Sequence, residues 1–258
     1  MRILVSNDDG VNAPGLYELA KAMQALGDVT VVAPDQQRSA SSHGISLHSA
    51  LYADAVDIGL PGVTAWSISG TPVDCVKWGA MMFGQREPFD LMVAGINEGA
   101  NLATDVLYSG TVAAAGEGAL QGIPAVAFSI VGPPFPYADA AQVALHIITT
   151  LHLSDLPADT FLNVNFPPSE ILTASWHLTE IGARTYRNEF IHVTDEAGRT
   201  CYRHAGEELE ETRGPDADVR ALRLGEISIT PLTYRFTNHA MLDSLKSGTR
   251  SAQNRLNG

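Results

Sequence analysis

The apolar positions of this chain fall into short continuous runs that alternate with stretches of helical period. Ile3-Leu4-Val5 predicts a buried strand over Arg2 to Ser6. The pattern from Pro14 to about Leu26 predicts a helix stopped by Gly27-Asp28, and Val29 to Ala33 predicts a second strand. Together these make a βαβ unit. Leu47 to Ile58 reads as extended and turn-rich, Trp66 to Ile68 as a strand, and Pro72 to about Phe83 as a helix with Thr71 as its N-cap. Leu91 to Gly95 is the next strand, and a helix from about Thr111 to Gln121 stops at Gly122 and Pro124. Strand Ala125 to Ile130, helix Tyr137 to Leu151 and strand Phe161 to Phe166 complete the alternation. It predicts an α/β fold with a mostly parallel sheet covered by helices on both faces.

After Pro167-Pro168 the pattern shortens. Trp176 to Ile181, Phe190 to Val193 and Thr200 to Arg203 alternate like strands, which divides the chain into a core over 1–168 and a β-rich appendage over 169–258. The acidic run Glu207 to Glu211 reads as a solvated loop. Ile227 to Thr230 is a further strand and a helix begins near Asn238. Ser247 to Gly258 has no hydrophobic period and is expected to be a mobile tail.

Composition narrows the classes. The 258 residues are enough to bury a sizeable core. A net charge of −13 with only 16 basic residues argues against a long nucleic acid as partner, because duplex affinity rests on Lys and Arg. Small anions stay open if a metal or helix N-termini supply positive potential. Cys75 and Cys201 stand far apart, with no zinc-like spacing and no disulfide framework. The chain starts directly on a strand and holds no apolar stretch of membrane-spanning length, so a cytoplasmic protein without a membrane partner is expected.

In open α/β sheets ligands bind beyond the carboxyl ends of the strands, so the polar residues just after each strand carry the chemistry. The first strand ends in Asn7-Asp8-Asp9-Gly10. Adjacent carboxylates raise each other's pKa unless a cation lies between them, and Gly10 permits the turn that lets both reach one ion. The alternative is a plain acidic turn. The second strand ends in Pro34-Asp35-Gln36-Gln37-Arg38-Ser39-Ala40-Ser41-Ser42-His43, and Leu91 to Gly95 leads into Ile96-Asn97-Glu98-Gly99-Ala100-Asn101. Oxygen donors from these ends make a site suited to Mg²⁺ or Mn²⁺ rather than structural zinc. A cation with few protein ligands keeps waters, which points to hydrolysis.

Tyr108-Ser109-Gly110-Thr111-Val112 runs into an Ala-rich helix, whose start offers free N–H groups and a favourable dipole to an anion such as phosphate. A simple Ser/Thr cap is the competing reading. His43 is a candidate general acid for a leaving alkoxide or else a surface histidine, and Arg38 is a candidate substrate contact or else a structural ion pair.

These residues resemble the SurE survival-protein family. The match runs through Ile3-Leu4-Val5-Ser6-Asn7-Asp8-Asp9-Gly10, Ala13-Pro14-Gly15, Ala33-Pro34-Asp35 with Arg38-Ser39, and Ser69-Gly70-Thr71-Pro72-Val73-Asp74-Cys75-Val76. It continues in Gly95-Ile96-Asn97, Gly99-Ala100-Asn101-Leu102, Asp105-Val106 and Tyr108-Ser109-Gly110-Thr111-Val112, then Asn163-Val164-Asn165 and Ile229-Thr230-Pro231-Leu232. The resemblance implies a Rossmann-like three-layer core with a projecting β-hairpin, around Arg184 to Arg213. It also implies a C-terminal arm from Asn238, exchanged between subunits of a homodimer or homotetramer. It implies a metal-dependent nucleotidase acting on nucleoside 5′-monophosphates, with 3′-monophosphates and short polyphosphate as further substrates. One divalent cation, Mg or Mn, would be held by Asp8, Asp9, Ser39 and Asn97. The chain departs from the family pattern at Ala103, where glycine is common, which stiffens a loop beside the site, and at Asp216-Ala217-Asp218, where Gly-Thr-Asp is common.

Two rivals lack their own residues. A nicotinamide dehydrogenase needs Gly-x-Gly-x-x-Gly after the first strand, where this chain has two acids. A phospho-acceptor receiver needs a lysine after a late strand, yet the lysines are Lys21, Lys77 and Lys246. The expected chemistry is phosphate hydrolysis in which Asp8 or Asp9 takes a proton from water, while Asn101, Ser109, Gly110 and Thr111 bind the phosphoryl charge. An aspartyl-phosphate route is the alternative.

Overall fold

A computed structural model describes residues 1–182, 185–209 and 214–246. The described chain builds strands β1 (Arg2–Ser6), β2 (Asp28–Pro34), β3 (Ala53–Val56), β4 (Thr64–Ile68), β5 (Leu91–Glu98), β6 (Ala125–Ile130) and β7 (Thr160–Phe166). Helices α1 (Pro14–Met23), α2 (Pro72–Gly84), α3 (Gly110–Leu120) and α4 (Tyr137–Thr150) connect them. Beyond follow β8 (Trp176–Leu178), β9 (Thr185–Thr194), β10 (Thr200–Leu209), α5 (Asp218–Arg223) and β11 (Ile227–Thr233).

The main sheet has the order β3-β4-β2-β1-β5-β6-β7-β11-β8. Strands β4, β2, β1, β5, β6 and β7 run parallel, while β3 pairs antiparallel to β4 and β11 antiparallel to β7, with β8 parallel to β11. From β1 the chain first moves outward to β2 and β4 and later returns to build β5 on the other side. The crevice beyond the end of β1 is therefore the switch point where such sheets take ligands.

Strand period two sorts the core into layers. Ile3, Val5, Leu91, Val93, Val126 and Phe128 face the layer of α1 and α4, and Leu4, Met92, Ala94, Ala125 and Ala127 face that of α2 and α3. Where α3 packs, this second face offers Ala94, Ala125 and Ala127 beside Met92, and α3 answers with Ala114, Ala115 and Ala119. Its approach is so close that a Cβ on Gly118 would stand 2.9 Å from Met92 Cγ. This close packing carries the N-terminus of α3 up to the end of β1.

The structure lengthens several elements and corrects others. Helix α1 stops at Met23, with 24–26 as a turn before Gly27. Within the stretch Leu47 to Ile58 only β3 pairs, as an edge strand. Strand β5 continues past Gly95 to Glu98, with a register shift against β6 between Ala94 and Asn97. The acidic run is not simply a loop. Glu207 and Glu208 belong to β10, where the antiparallel register sets Glu207 opposite Arg187. Glu210 and Glu211 lie outside the described residues, as does the expected tail from Ser247.

Past Pro168, β8 and β11 belong to the main sheet, and only β9 and β10 form a separate two-stranded sheet. The final helix covers 239–246, where Asn238 Oδ1 accepts the Met241 N–H at 2.9 Å as an N-cap. Both cysteines are free, and no described helix is long and apolar enough to cross a membrane.

Candidate functional site

Asn7 closes the turn after β1 on itself. Its Nδ2 donates to the Gly10 carbonyl at 3.0 Å and its Oδ1 accepts the Gly10 N–H at 3.2 Å, with Gly10 at φ +103°. Only glycine takes that backbone without strain. The two aspartates leave this turn in different surroundings.

Asp8 is 4% exposed, and its carbonyl accepts the Arg38 N–H at 2.7 Å, tying the turn to the loop after β2. Thr111 Oγ1 donates to its Oδ1 at 2.5 Å, and the backbone N–H groups of Gly110 and Thr111 are directed at the same carboxylate. Burial pushes its pKa up against the lowering effect of those donors. Gly110 has no room for a side chain: a Cβ there would meet Asp8 Cβ at 2.7 Å and Asp8 Oδ2 at 2.8 Å.

Asp9 is half-buried and takes only neutral partners. Gln37 Nε2 donates to its Oδ1 at 3.3 Å, and the Glu98 N–H to its Oδ2 at 3.4 Å. Burial, then the charges of Asp8 and Glu98, raise its carboxyl to about 6. It lines an open cavity of about 290 Å³ together with Asn12, Asp35, Gln36, Gln37 and Glu98.

The loop after β2 is exposed at Ser39 and returns inward at Ser42, whose N–H reaches the Tyr108 carbonyl at 3.0 Å. Arg38 spends its Nη2 on Asp35 Oδ1 and on the Ser69 carbonyl, both at 3.0 Å, which makes it a brace within the loop. Asn97 sits past the shift in β5, its Nδ2 donating to the Gly99 carbonyl at 2.7 Å. Ser109 is the N-cap of α3, its hydroxyl accepting the Val112 N–H at 3.1 Å.

Asn101 is locked down on both sides. Its N–H donates to Asn165 Oδ1 at 2.8 Å, its carbonyl accepts from Asn163 and Asn165, and its Nδ2 donates to Ser129 Oγ at 2.8 Å. Its amide N–H groups serve the loop's attachment to β6 and β7. His43 has both ring nitrogens engaged: Nε2 lies 2.9 Å from Glu117 Oε2 and Nδ1 lies 3.0 Å from the Tyr234 hydroxyl.

Several residues of this neighbourhood escaped the motif reading. Gln37 and Glu98 stand in the polar strand ends but carried no assigned role, and Tyr137, whose hydroxyl donates to Glu98 Oε1 at 2.7 Å, carries no local signal. Asn163 and Asn165 do have one, since two amides at strand period in a buried apolar run need partners. Ser41 Oγ is buried without a partner among the described residues, beside Gly110. Asp218 is fully buried and accepts the Ala103 N–H at 2.8 Å and the Gly182 N–H at 2.9 Å. The two departures noted above therefore meet, and Ala103 stands in the left-handed region at φ +51°.

Comparison with known proteins gives one consistent result. Residues 3–188 match the family model described as Survival protein SurE. The 5′-nucleotidase SurE of Heliobacterium modesticaldum is 42% identical over 248 residues, covering 95% of this chain and 90% of that one. The 5′-nucleotidase SurE of Synechococcus sp. is 45% identical over 259 residues, covering 98% and 99%. The crystal structure of the SurE protein from Aquifex aeolicus superposes with a TM-score of 0.82 at 34% identity, covering 96% of this chain and 99% of that chain.

Proposed function

The chain belongs to the SurE family, and from that premise and the geometry of its site we propose that it is a divalent-metal-dependent 5′-nucleotidase, hydrolysing nucleoside monophosphates to nucleoside and phosphate. The observation that carries the reading is the abutment of two chemistries. The donor-rich start of α3 lies against Asp8, and Asp9 opens on a cavity next to it.

The donor set fits a divalent cation. Asp8, Asp9 and Glu98 crowd one end of the sheet, and the partners on Asp9 are neutral, so the carboxylates are held at a free-energy cost that a cation would remove. Asp8, Asp9, Ser39 and Asn97 would hold Mg²⁺ or Mn²⁺. The bound cation would supply charge neutralisation to the phosphoryl oxygens and lower the pKa of a water.

The remaining chemistry belongs to the chain. Gly110 and Thr111 turn their N–H and hydroxyl donors on Asp8 at the start of α3, beside which the phosphoryl charge would develop, and the Ser41 hydroxyl is a further donor there. Asp9, on the open side, accepts the proton of the attacking water, because Asp8 is closed in by Thr111 and α3. Asn101 and Ser109 hold the loop after β5 and the start of α3 in place, their side chains being committed to Ser129 and to the cap. As in the family resemblance, 3′-monophosphates and short polyphosphate extend the substrate range, and the working form is a homodimer or homotetramer.

The test is phosphate release from a panel of nucleoside 5′- and 3′-monophosphates and tripolyphosphate with Mg²⁺, Mn²⁺ or chelator. Release from 5′-monophosphates that the chelator abolishes is expected. Release undiminished by chelator would remove the metal, and no release from any substrate would remove the enzyme.

A further inference from the structure

Beneath the loop that carries Ser39 lies a buried acid for which the reaction just described has no use. Glu117 sits in α3 with its side chain 4% exposed, yet it is fully engaged. Its Oε2 meets His43 Nε2 at 2.9 Å, and its Oε1 accepts from Lys77 Nζ of α2 at 2.9 Å and from Gln121 at 2.7 Å. Tyr234, just past β11, presents its hydroxyl to the other nitrogen of His43 at 3.0 Å, with the rings edge to face at 5.0 Å. A neutral imidazole with its proton on Nε2 satisfies the whole chain: the tyrosine donates to Nδ1 and Nε2–H donates to the carboxylate.

A buried carboxylate is a costly way to hold a helix on a sheet, since an apolar side chain of similar size does it without desolvating a charge. What the carboxylate does that an apolar residue cannot is to seize the loop. Ser39 is exposed between two attachments, the Arg38 N–H on the Asp8 carbonyl and the Ser42–His43 segment on Tyr108, Leu107 and Glu117. Between them Ala40 and Ser42 sit at positive φ, 55° and 54°, conformations that such residues keep only when their surroundings hold them. The same helix sends Thr111 to Asp8 at its start and Glu117 to His43 further along.

We propose that Glu117 is a positioning residue: through His43 it sets the loop bearing Ser39 against α3 and Asp8, and so completes the metal site. His43 is then a strut rather than the acid that protonates the leaving alkoxide, both its nitrogens being spent inside the protein. The proposal rests on the nucleotidase reading, and its test separates the two.

Mn²⁺ alone is titrated calorimetrically into the metal-free full-length protein. Wild type should bind. Glu117→Leu and His43→Ala should each weaken Mn²⁺ binding about tenfold, the scale seen when the residues that orient metal ligands are removed. The double variant should be no weaker than either single one, because both break the same link. Glu117→Gln, whose amide oxygen still accepts from His43, should stay near wild type.

Turnover at saturating Mn²⁺ adds a second readout. His43→Ala should affect a nucleoside monophosphate and p-nitrophenyl phosphate alike, since the second needs no acid for its leaving group. Unchanged Mn²⁺ affinity in both single variants overturns the proposal, as does a kcat loss confined to the nucleotide. If circular dichroism shows Glu117→Leu unfolded, His43→Ala, at a half-exposed loop position, decides alone. A folded wild type that binds no Mn²⁺ and releases no phosphate removes the nucleotidase reading and this proposal together. One that binds and turns over with variants unaffected removes the proposal only.

Discussion

At Thr111 a single hydroxyl does two jobs, donating to Asp8 at 2.5 Å and standing at the first turn of a helix whose N–H groups face the same carboxylate. Thr111→Val keeps the shape and deletes the donor. It should lower kcat about 10²-fold with the fold intact, by comparison with the loss of one donor to developing charge. Steady-state kinetics beside a circular dichroism spectrum checks this. Gly110 offers the steric counterpart. Its added Cβ would press on Asp8 Cβ at 2.7 Å, so Gly110→Ala must push helix and carboxylate apart. A displacement near 1 Å costs on the order of 10²-fold in rate, and Gly110→Ala should lose at least that much activity. Neither Asp8 nor Thr111 reveals the other locally, for they stand 103 residues apart in the chain.

Among the elements, α5 does more than its length suggests. Its Asp218 carboxylate is the acceptor for the Ala103, Gly182 and Val219 N–H groups, at 2.8, 2.9 and 2.8 Å. It thus pins the loop after β5 to the root of the β9–β10 hairpin. Asp218→Ala leaves these donors without that acceptor, and at ~1–3 kcal/mol per unsatisfied buried group it should destabilise the protein by about 3 kcal/mol or more. A urea titration followed by fluorescence reads this as a lower midpoint. The strand–helix alternation itself was visible in the hydrophobic period, from β1 through β7, because each buried strand is a short apolar run with turn signals at its ends. The extent of β9 and β10 was not. Their charged and polar residues obscure a pairing that the backbone ladder sustains across ten residues in each strand.

The molecule as a whole joins α2, α3, the loop after β2 and β11 through two buried or half-buried acids, and this shapes its response to pH. Burial would raise the Glu117 carboxyl, but hydrogen bonds from His43, Lys77 and Gln121 outweigh it and hold it below its ordinary 4.5. Asp74 behaves alike: burial opposes, and the N–H groups of Ser46 and Thr71 prevail, holding it below 3.8. A carboxyl whose pKa is lower in the folded state contributes stability that is fully present above its ordinary value and is lost as pH falls through its folded value. Thermal unfolding should therefore show little change from these groups above pH 5 and a falling midpoint as pH drops below about 4. Glu117→Gln should flatten that acid limb. An equally steep limb in the variant would assign it to other carboxylates.

The sequence by itself determined the order of strands and helices from β1 through β7, the polar ends of β1, β2 and β5, and the turn at Gly10. These are local properties: a period, a breaker or a cap acts within a few residues of where it is written. Tertiary structure alone decided which side chains those ends would meet. It closed Asp8 under Thr111 and left Asp9 on the open cavity. It committed Asn101 to Asn163, Asn165 and Ser129, braced Arg38 on Asp35, and seated His43 on Glu117 and Tyr234. Hydrophobic period tells a residue which way to face but not what lies across from it. That partner is fixed by how closely the Ala- and Gly-rich α3 packs on the small side chains of β5 and β6.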